Sequence, residues 1–262
     1  MTAHAWAERL ASGAAIDAPL ALVVAHPDDE TLWTGAALAR MKRLRLILLT
    51  DGAPRRMDDA ERLGFATRDA YAAARRAEFD AALTALEADA EVLRYELVDQ
   101  EVMFALPALT ARLAQDLDGM AAVVTHPYEG GHPDHDGAAL AVTLAVGSLE
   151  EPPAHAEFAC YHKHEGARRF GAFWPHPDSP EQTLPLDPAA RARIDSAIAA
   201  HATQAEVIGD WRPEAERWRA APAYDFAAPP PPGEALYDGY GWTMISARWR
   251  GLAAEALNGA AA

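Results

Sequence analysis

The sequence predicts an α/β protein: a three-layer α/β/α, Rossmann-like sandwich around a mostly parallel sheet. Three observations predict it. Short apolar runs alternate with longer segments whose apolar residues recur at helical spacing. Each of the first four runs ends at a polar cluster, namely His26 to Glu30, Asp51, Asp99, and His126 to His135. The 262-residue chain is 50% hydrophobic, enough to bury a core and within the range of one domain. Strands separated by helices pair in parallel through right-handed crossovers, which brings all four clusters to one edge of the sheet.

In order along the chain, Leu20 to Ala25 reads as a buried strand and Thr31 to Arg43 as a helix. Leu46 to Thr50 is the second strand, followed by a turn at Asp51-Gly52 and a long Ala/Arg/Glu-rich helix from about Thr67 to Ala88. The third strand is Val92 to Leu97, followed by a helix over Phe104 to Leu117. Ala121 to Thr125 gives the fourth strand and Asp136 to Val146 the next helix. The last third is less regular, with a strand at Glu157 to His162 and a helix from about Pro188 to Ile208. Residues 1–262 are expected to form a single domain with a Pro-rich C-terminal region from about residue 209. In that region Pro229 to Pro232 reads as a stiff connector, and Tyr237 to Ser246 as an added strand or a loop over the pocket.

The 39 acidic residues against 23 basic ones leave a net charge of −16, which argues against a nucleic-acid partner and against anionic membrane surfaces. A single cysteine, Cys160, excludes an internal disulfide, and its neighbours Phe158 and Ala159 place it in a strand interior. Met1 to Ala18 lacks the basic start and continuous apolar run of a secretory signal, and no stretch reaches the roughly 20 apolar residues of a membrane span. A cytoplasmic location with no membrane span is the expectation. A homo-oligomer stays open.

His26-Pro27-Asp28-Asp29-Glu30 packs an imidazole and three carboxylates into five positions after a buried strand. Charges that dense repel unless a cation sits among them, and His with Asp suits a borderline metal such as zinc. Acids at a helix N-terminus would also suit the macrodipole, but that leaves His26 unexplained. Gly130-Gly131-His132-Pro133-Asp134-His135-Asp136 follows the fourth strand, with glycines that let the backbone turn tightly beside a ligand. Three histidines and several carboxylates on one edge fit a centre with three protein ligands and an open position.

With both clusters in view, the sequence resembles the PIG-L/LmbE-like family of metal-dependent N-deacetylases, whose pattern is A-H-P-D-D-E early and H-P-D-H in mid-chain. Ala25 to Glu30 and His132 to His135 reproduce it. The likeness runs through Thr50-Asp51-Gly52, Arg75-Arg76-Ala77-Glu78 and His201-Ala202-Thr203-Gln204, covering roughly residues 20 to 210. It implies an LmbE-like fold in which His26, Asp29 and His135 bind zinc and Asp28 is the general base. It also implies that His132 acts as acid or electrophile, with Asp134 fixing its tautomer. Fe2+, Co2+ and Mn2+ accept the same ligands as Zn2+. Arg75 and Asp99 match residues that contact sugar hydroxyls, although Arg75 would equally suit an ion pair with Glu78 or Asp80. Some deacetylases of the family carry a tyrosine two residues before H-P-D-H; Gly130 stands there, and Tyr128 is the nearest substitute.

The implied reaction removes an acyl group, first of all acetyl, from a small-molecule N-acylated amino sugar or conjugate. The same chemistry on a non-sugar amide or thioconjugate is the alternative. A metal-supported binding module would have lost the base, and Asp28 is present. A dinucleotide-binding oxidoreductase would need G-x-G-x-x-G after the first strand, where His-Pro-Asp-Asp-Glu stands instead. Trp211, Trp218, Tyr237, Tyr240 and Trp242 form either an aromatic platform for a sugar face or a small C-terminal core. His155, His162, His164 and His176 are expected to be structural or surface residues.

Overall fold

The computed structural model describes residues 1–260. The elements run α1 (Ala3–Ala11), β1 (Leu20–Val24), α2 (Asp29–Leu38), β2 (Leu44–Pro54), α3 (Asp58–Arg62), α4 (Arg68–Ala85), β3 (Ala90–Asp99), α5 (Leu106–Leu117), β4 (Ala122–Thr125) and α6 (Pro133–Gly147). They continue with β5 (Ala154–Phe158), β6 (Tyr161–His164), β7 (Ala167–Phe170), β8 (Gln182–Pro185), α7 (Pro188–Ala200), α8 (Ala205–Ile208), β9 (Ala215–Ala220) and α9 (Ser246–Ala260). The main sheet has the order β3-β2-β1-β4-β5-β9-β8. Pairing is parallel from β3 to β5 and antiparallel at β9 and β8.

Alternate residues of the central strands feed two separate cores, because successive side chains of a strand point to opposite faces. Leu20, Leu22 and Val24 pack with α1, α2, α4 and α7 through Trp6, Leu38, Phe79 and Ile194. Ala21, Val23 and Val123 pack with α5, α6 and α9 through Leu113, Leu140 and Trp249. The result is the three-layer sandwich read from the sequence. Because α2 and α4 cover one face and α5 and α6 the other, the chain switches direction between β1 and β4. Loops leaving neighbouring strands there diverge and open a crevice at their carboxyl ends.

The N-terminal helix is capped by Thr2, whose side chain accepts from Ala5 N at 3.3 Å. Thr67 serves α4 in the same way, and Asp187, followed by Pro188, serves α7.

Several boundaries differ from expectation. The strand predicted over Glu157 to His162 is two strands, since β5 pairs with β9 while β6 pairs with β7. Cys160 therefore lies in the bend between them, where its carbonyl accepts from Gly171 N, and is buried there rather than in a strand interior. The helix predicted to run to Ile208 breaks at His201 (ψ 58°) and resumes as a 3-10 turn and α8. The turn at Asp51-Gly52 is an irregular continuation of β2 with shifted register. Helices α1 and α9, the strand β7 and the edge strands β8 and β9 carried no clear pattern in the sequence. Among the described residues no helix is long and apolar enough to cross a membrane.

Candidate active site

The first motif leaves β1 directly into α2, so Asp28 stands at the N-cap position and Asp29 and Glu30 occupy the first turn. The loop is locked by its own groups: His26 N donates to Asp29 Oδ2 at 2.8 Å. The second motif leaves β4 into α6, whose N-cap is His132; the His132 Nδ1 accepts from Asp134 N at 3.1 Å. Gly131 permits the turn, because a Cβ there would lie 2.2 Å from the Tyr161 carbonyl oxygen.

Parallel register brings the two motifs into contact. His26 Nδ1 lies 3.2 Å from His135 Nε2 and 3.4 Å from Asp29 Oδ2, and His135 Nε2 lies 3.2 Å from Asp29 Oδ1. A tetrahedral centre with bonds of about 2.0–2.1 Å sets its ligand atoms about 3.3 Å apart; the two ring nitrogens have that spacing from each other, and each has it from a different oxygen of Asp29. All three residues line a cleft of about 490 Å³, leaving one side open to a ligand. His126 and Cys160 lie close enough to Asp29 and His135 to complete a four-residue group. They do not line the cleft, however, and are engaged elsewhere. His126 Nε2 accepts from Ala25 N at 3.0 Å, and Cys160 Sγ lies 3.3 Å from His135 Nδ1.

Partners on the far side of each ring select which nitrogen faces the cleft. The Nε2 of His26 donates to Asp99 Oδ1 at 3.1 Å, with Asp134 Oδ2 at 3.4 Å, which turns Nδ1 inward. The Nδ1 of His135 faces Cys160, which frees Nε2. Trp33 Nε1 donates to Asp29 Oδ1 at 3.1 Å. Such partners fix the tautomer and the aim of a ligand. Burial alone would lower the His26 ring, yet the Asp99, Asp134 and Asp29 carboxylates raise it well above the usual imidazole value. That excess of negative charge is what a bound cation would relieve. Burial, then the stacked ring of His135, holds His126 neutral, its pKa lowered to about 3.

Asp28 reaches the cleft beside this group and is held by Arg75, whose Nη2 donates to Asp28 Oδ2 at 3.0 Å and to Pro27 O at 3.2 Å. Arg75 Nη1 donates to Gly52 O at 2.6 Å. Gly52 (φ +68°) makes room, because a Cβ there would sit 2.7 Å from the guanidinium carbon. Arg75 is thus buried with Asp28 and does not pair with Glu78 or Asp80; Glu78 instead accepts from Thr203 N and Oγ1. His132 stands edge-on to His26 at 4.4 Å, with Nε2 3.8 Å from Asp99 Oδ1. Its ring is held neutral by burial and then by His26, and with Nδ1 accepting, the proton sits on Nε2.

Two expectations are corrected. Asp134 does not orient His132 through its carboxylate, which accepts from Gln100 N (2.6 Å) and Val102 N (3.2 Å); its backbone N–H sets the His132 tautomer. Tyr128 is no cleft residue. It is 1% exposed, donates to Ala228 O at 2.8 Å and stacks on Trp249, so it faces the core. Asp99 lines the cleft as expected, whereas Asp51 is drawn aside by Arg68. The aromatic set divides: Trp211, Tyr240 and Trp242 line the cleft, while Trp218 and Tyr237 are fully buried. The segment after Leu236 is a loop over the cleft and adds no strand. Cys160, Tyr161 and Arg168 were missed, since the bend and hairpin carrying them give no local signal; His126 stood in the second cluster without a role.

The model of the PIG-L family, GlcNAc-PI de-N-acetylase, matches residues 21–146. This match spans just under half of the chain. It holds both motifs, Arg75 and Asp99, whereas Cys160, Arg168, Trp211, Tyr240 and Trp242 lie beyond it. Among solved structures, the chain is similar to the A40926 pseudoaglycone deacetylase Dbv21 (18% identity, TM-score 0.58, covering 78% of this chain and 97% of that one). It is also similar to the zinc-inhibited form of the teicoplanin deacetylase Orf2 (16%, 0.58, 79% and 99%). A third likeness is to GalB, the 4-carboxy-2-hydroxymuconate hydratase of Pseudomonas putida KT2440 (19%, 0.51, 79% and 98%). At these identities the likeness is one of fold, and the fold serves both deacetylases and a hydratase. No protein of curated function matches the chain by sequence.

Proposed function

We propose that the protein is a zinc-dependent hydrolase that removes an N-acyl group, first of all acetyl, from an amino sugar or its conjugate. The observation that carries this reading is the triangle of His26 Nδ1, Asp29 and His135 Nε2 at 3.2–3.4 Å, with Asp28 and His132 on the same cleft. The PIG-L match and the deacetylases among the similar folds support it. Bound there, the metal would polarise the acyl carbonyl and lower the pKa of its water; imidazole and carboxylate favour zinc, and Fe2+, Co2+ and Mn2+ accept the same donors.

The chain's own groups do the rest. Asp28, held in place by Arg75, takes the proton of the attacking water as oxygen adds to the acyl carbon. His132 presents Nε2–H to the developing negative charge on the acyl oxygen and keeps that proton. Asp28 passes the proton it took from water to the leaving nitrogen, the C–N bond breaks, and a carboxylic acid and an amine depart. Asp99 lies between His26 and His132 and is placed to accept a substrate hydroxyl. A location in the cytoplasm fits this small-molecule role.

The test is amine release from N-acetylated sugars, glycosides and simple N-acetyl amides, with and without a chelator. Chelator-sensitive release from the sugars, restored by zinc, is expected. Release from simple amides alone would move the substrate outside the sugars, and no release with any of the four metals would refute the hydrolase.

A further inference from the structure

Three arginines line the cleft, Arg56, Arg75 and Arg168. Two are matched by carboxylates, Arg75 by Asp28 and Arg56 by Asp58. Arg168, on β7, has no carboxylate partner among the described residues. Its Nη2 donates to Tyr240 Oη at 2.8 Å, and its guanidinium carbon lies over the rings of Tyr161, Phe170 and Tyr240 at 5.0, 5.5 and 5.8 Å. Rings attract the charge without neutralising it. In a chain with 39 acids and 23 bases, the cleft thus keeps one cation whose remaining N–H groups are uncommitted.

Its position relates it to the reaction. Tyr161 stands edge-on to His135 at 5.3 Å and carries Arg168 on its face, so a single ring separates the guanidinium from the proposed metal ligands. Beside it, Phe170 stacks on Trp211 at 5.4 Å and on Trp33 at 6.4 Å, with ring planes 27° and 17° apart, forming an apolar wall of the same cleft. A cation at the edge of an aromatic wall matches a ligand part that is flat and apolar and ends in an oxyanion, because the guanidinium fork binds carboxylate or phosphate through paired N–H bonds.

We propose that Arg168 selects substrates whose N-acyl amine carries an aromatic or similarly flat substituent ending in a carboxylate or phosphate. The assignment rests on the N-deacylase reading and narrows it to acidic aryl conjugates. The wall takes the flat group, and Arg168 takes the anion while staying bound to Tyr240.

The test uses the zinc-loaded full chain, as wild type, Arg168→Gln and Arg168→Lys, with the phenyl, 4-carboxyphenyl and 4-phosphophenyl β-glucosaminides. Calorimetry gives Kd for the amines, and kcat/KM is measured on their N-acetyl forms. In the wild type an anionic aryl group improves both by about tenfold over phenyl. Arg168→Gln brings the ratio to near one, and Arg168→Lys restores part of it. The better of the two anions identifies the group recognised. Equal binding of neutral and anionic probes by the wild type, binding of none, or a preference that survives in Arg168→Gln would overturn the assignment. Preferential binding without amine release would instead leave Arg168 in its role and remove the deacylase reading.

Discussion

His26 is gripped at both ring nitrogens, by Asp99 and Asp134 on one side and by the Asp29–His135 pair on the other. His135 is gripped by Cys160. At this scale the motifs were legible in the sequence: His26, Asp28, Asp29, His132 and His135 meet in one cleft. The partners that aim them were less so, because Cys160 arrives from the bend between β5 and β6, 25 residues later, and spacing alone gives no register for it. Its thiol accepts from His135 Nδ1 in a fully buried position. Cys160→Ala is therefore expected to weaken metal retention in chelator competition by about tenfold, while Cys160→Ser, which keeps an acceptor, retains most of it. Equal retention by wild type and the alanine variant would show that Cys160 only fills space. Of the two readings Arg75 carried in the sequence, the ion pair is made with Asp28 and not with Glu78 or Asp80, and its place on the cleft stands beside it; buried against Gly52 O, it would position Asp28 as the base.

At the scale of elements, the parallel core from β1 to β4 was readable because buried runs and helical periodicity alternate without interruption. The antiparallel addition was not, since β8 and β9 are short, half-polar edge elements whose pairing partners are distant in sequence. That addition carries a pH-sensitive contact. Glu216 on β9 is 2% exposed and accepts from Ala36 N (2.6 Å) and Ala37 N (3.2 Å) of α2, with Arg40 only 3.9 Å away. Burial pushes its carboxyl up to about 7, against the opposing pull of Arg40 and the two N–H groups. A raised acid holds its proton in the folded chain where the unfolded chain, at about 4.3, has released it. The folded state thus binds more protons between these values, and stability falls as pH rises through the window. Between about pH 5 and pH 8 the loss is on the order of 2 kcal/mol. Urea midpoints of Glu216→Gln should lack this part of the decline; the same pH dependence in both proteins would contradict it.

Across the whole molecule, the C-terminal region acts as a buttress for the second motif. Leu236 N donates to Gly130 O, Tyr237 Oη to Asp136 Oδ2 and Trp249 Nε1 to Pro133 O, so chain far from the motifs holds His132 and His135 in place. The Pro-rich composition marked that region as irregular but could not show what it touches. The same region supplies Tyr240 and Trp242 to the cleft, far from the two motifs in sequence but on one cavity with them. On the proposed reading, His26, Asp29 and His135 would hold a metal and Asp28 beside them would move a proton. The most direct test measures zinc per chain and amine release together in the wild type, Asp28→Asn and His26→Ala. About one zinc in the wild type and in Asp28→Asn is expected, with turnover in Asp28→Asn lower by about 10²- to 10⁴-fold and zinc lost in His26→Ala. Equal zinc loss in both variants, or full turnover without Asp28, would contradict it.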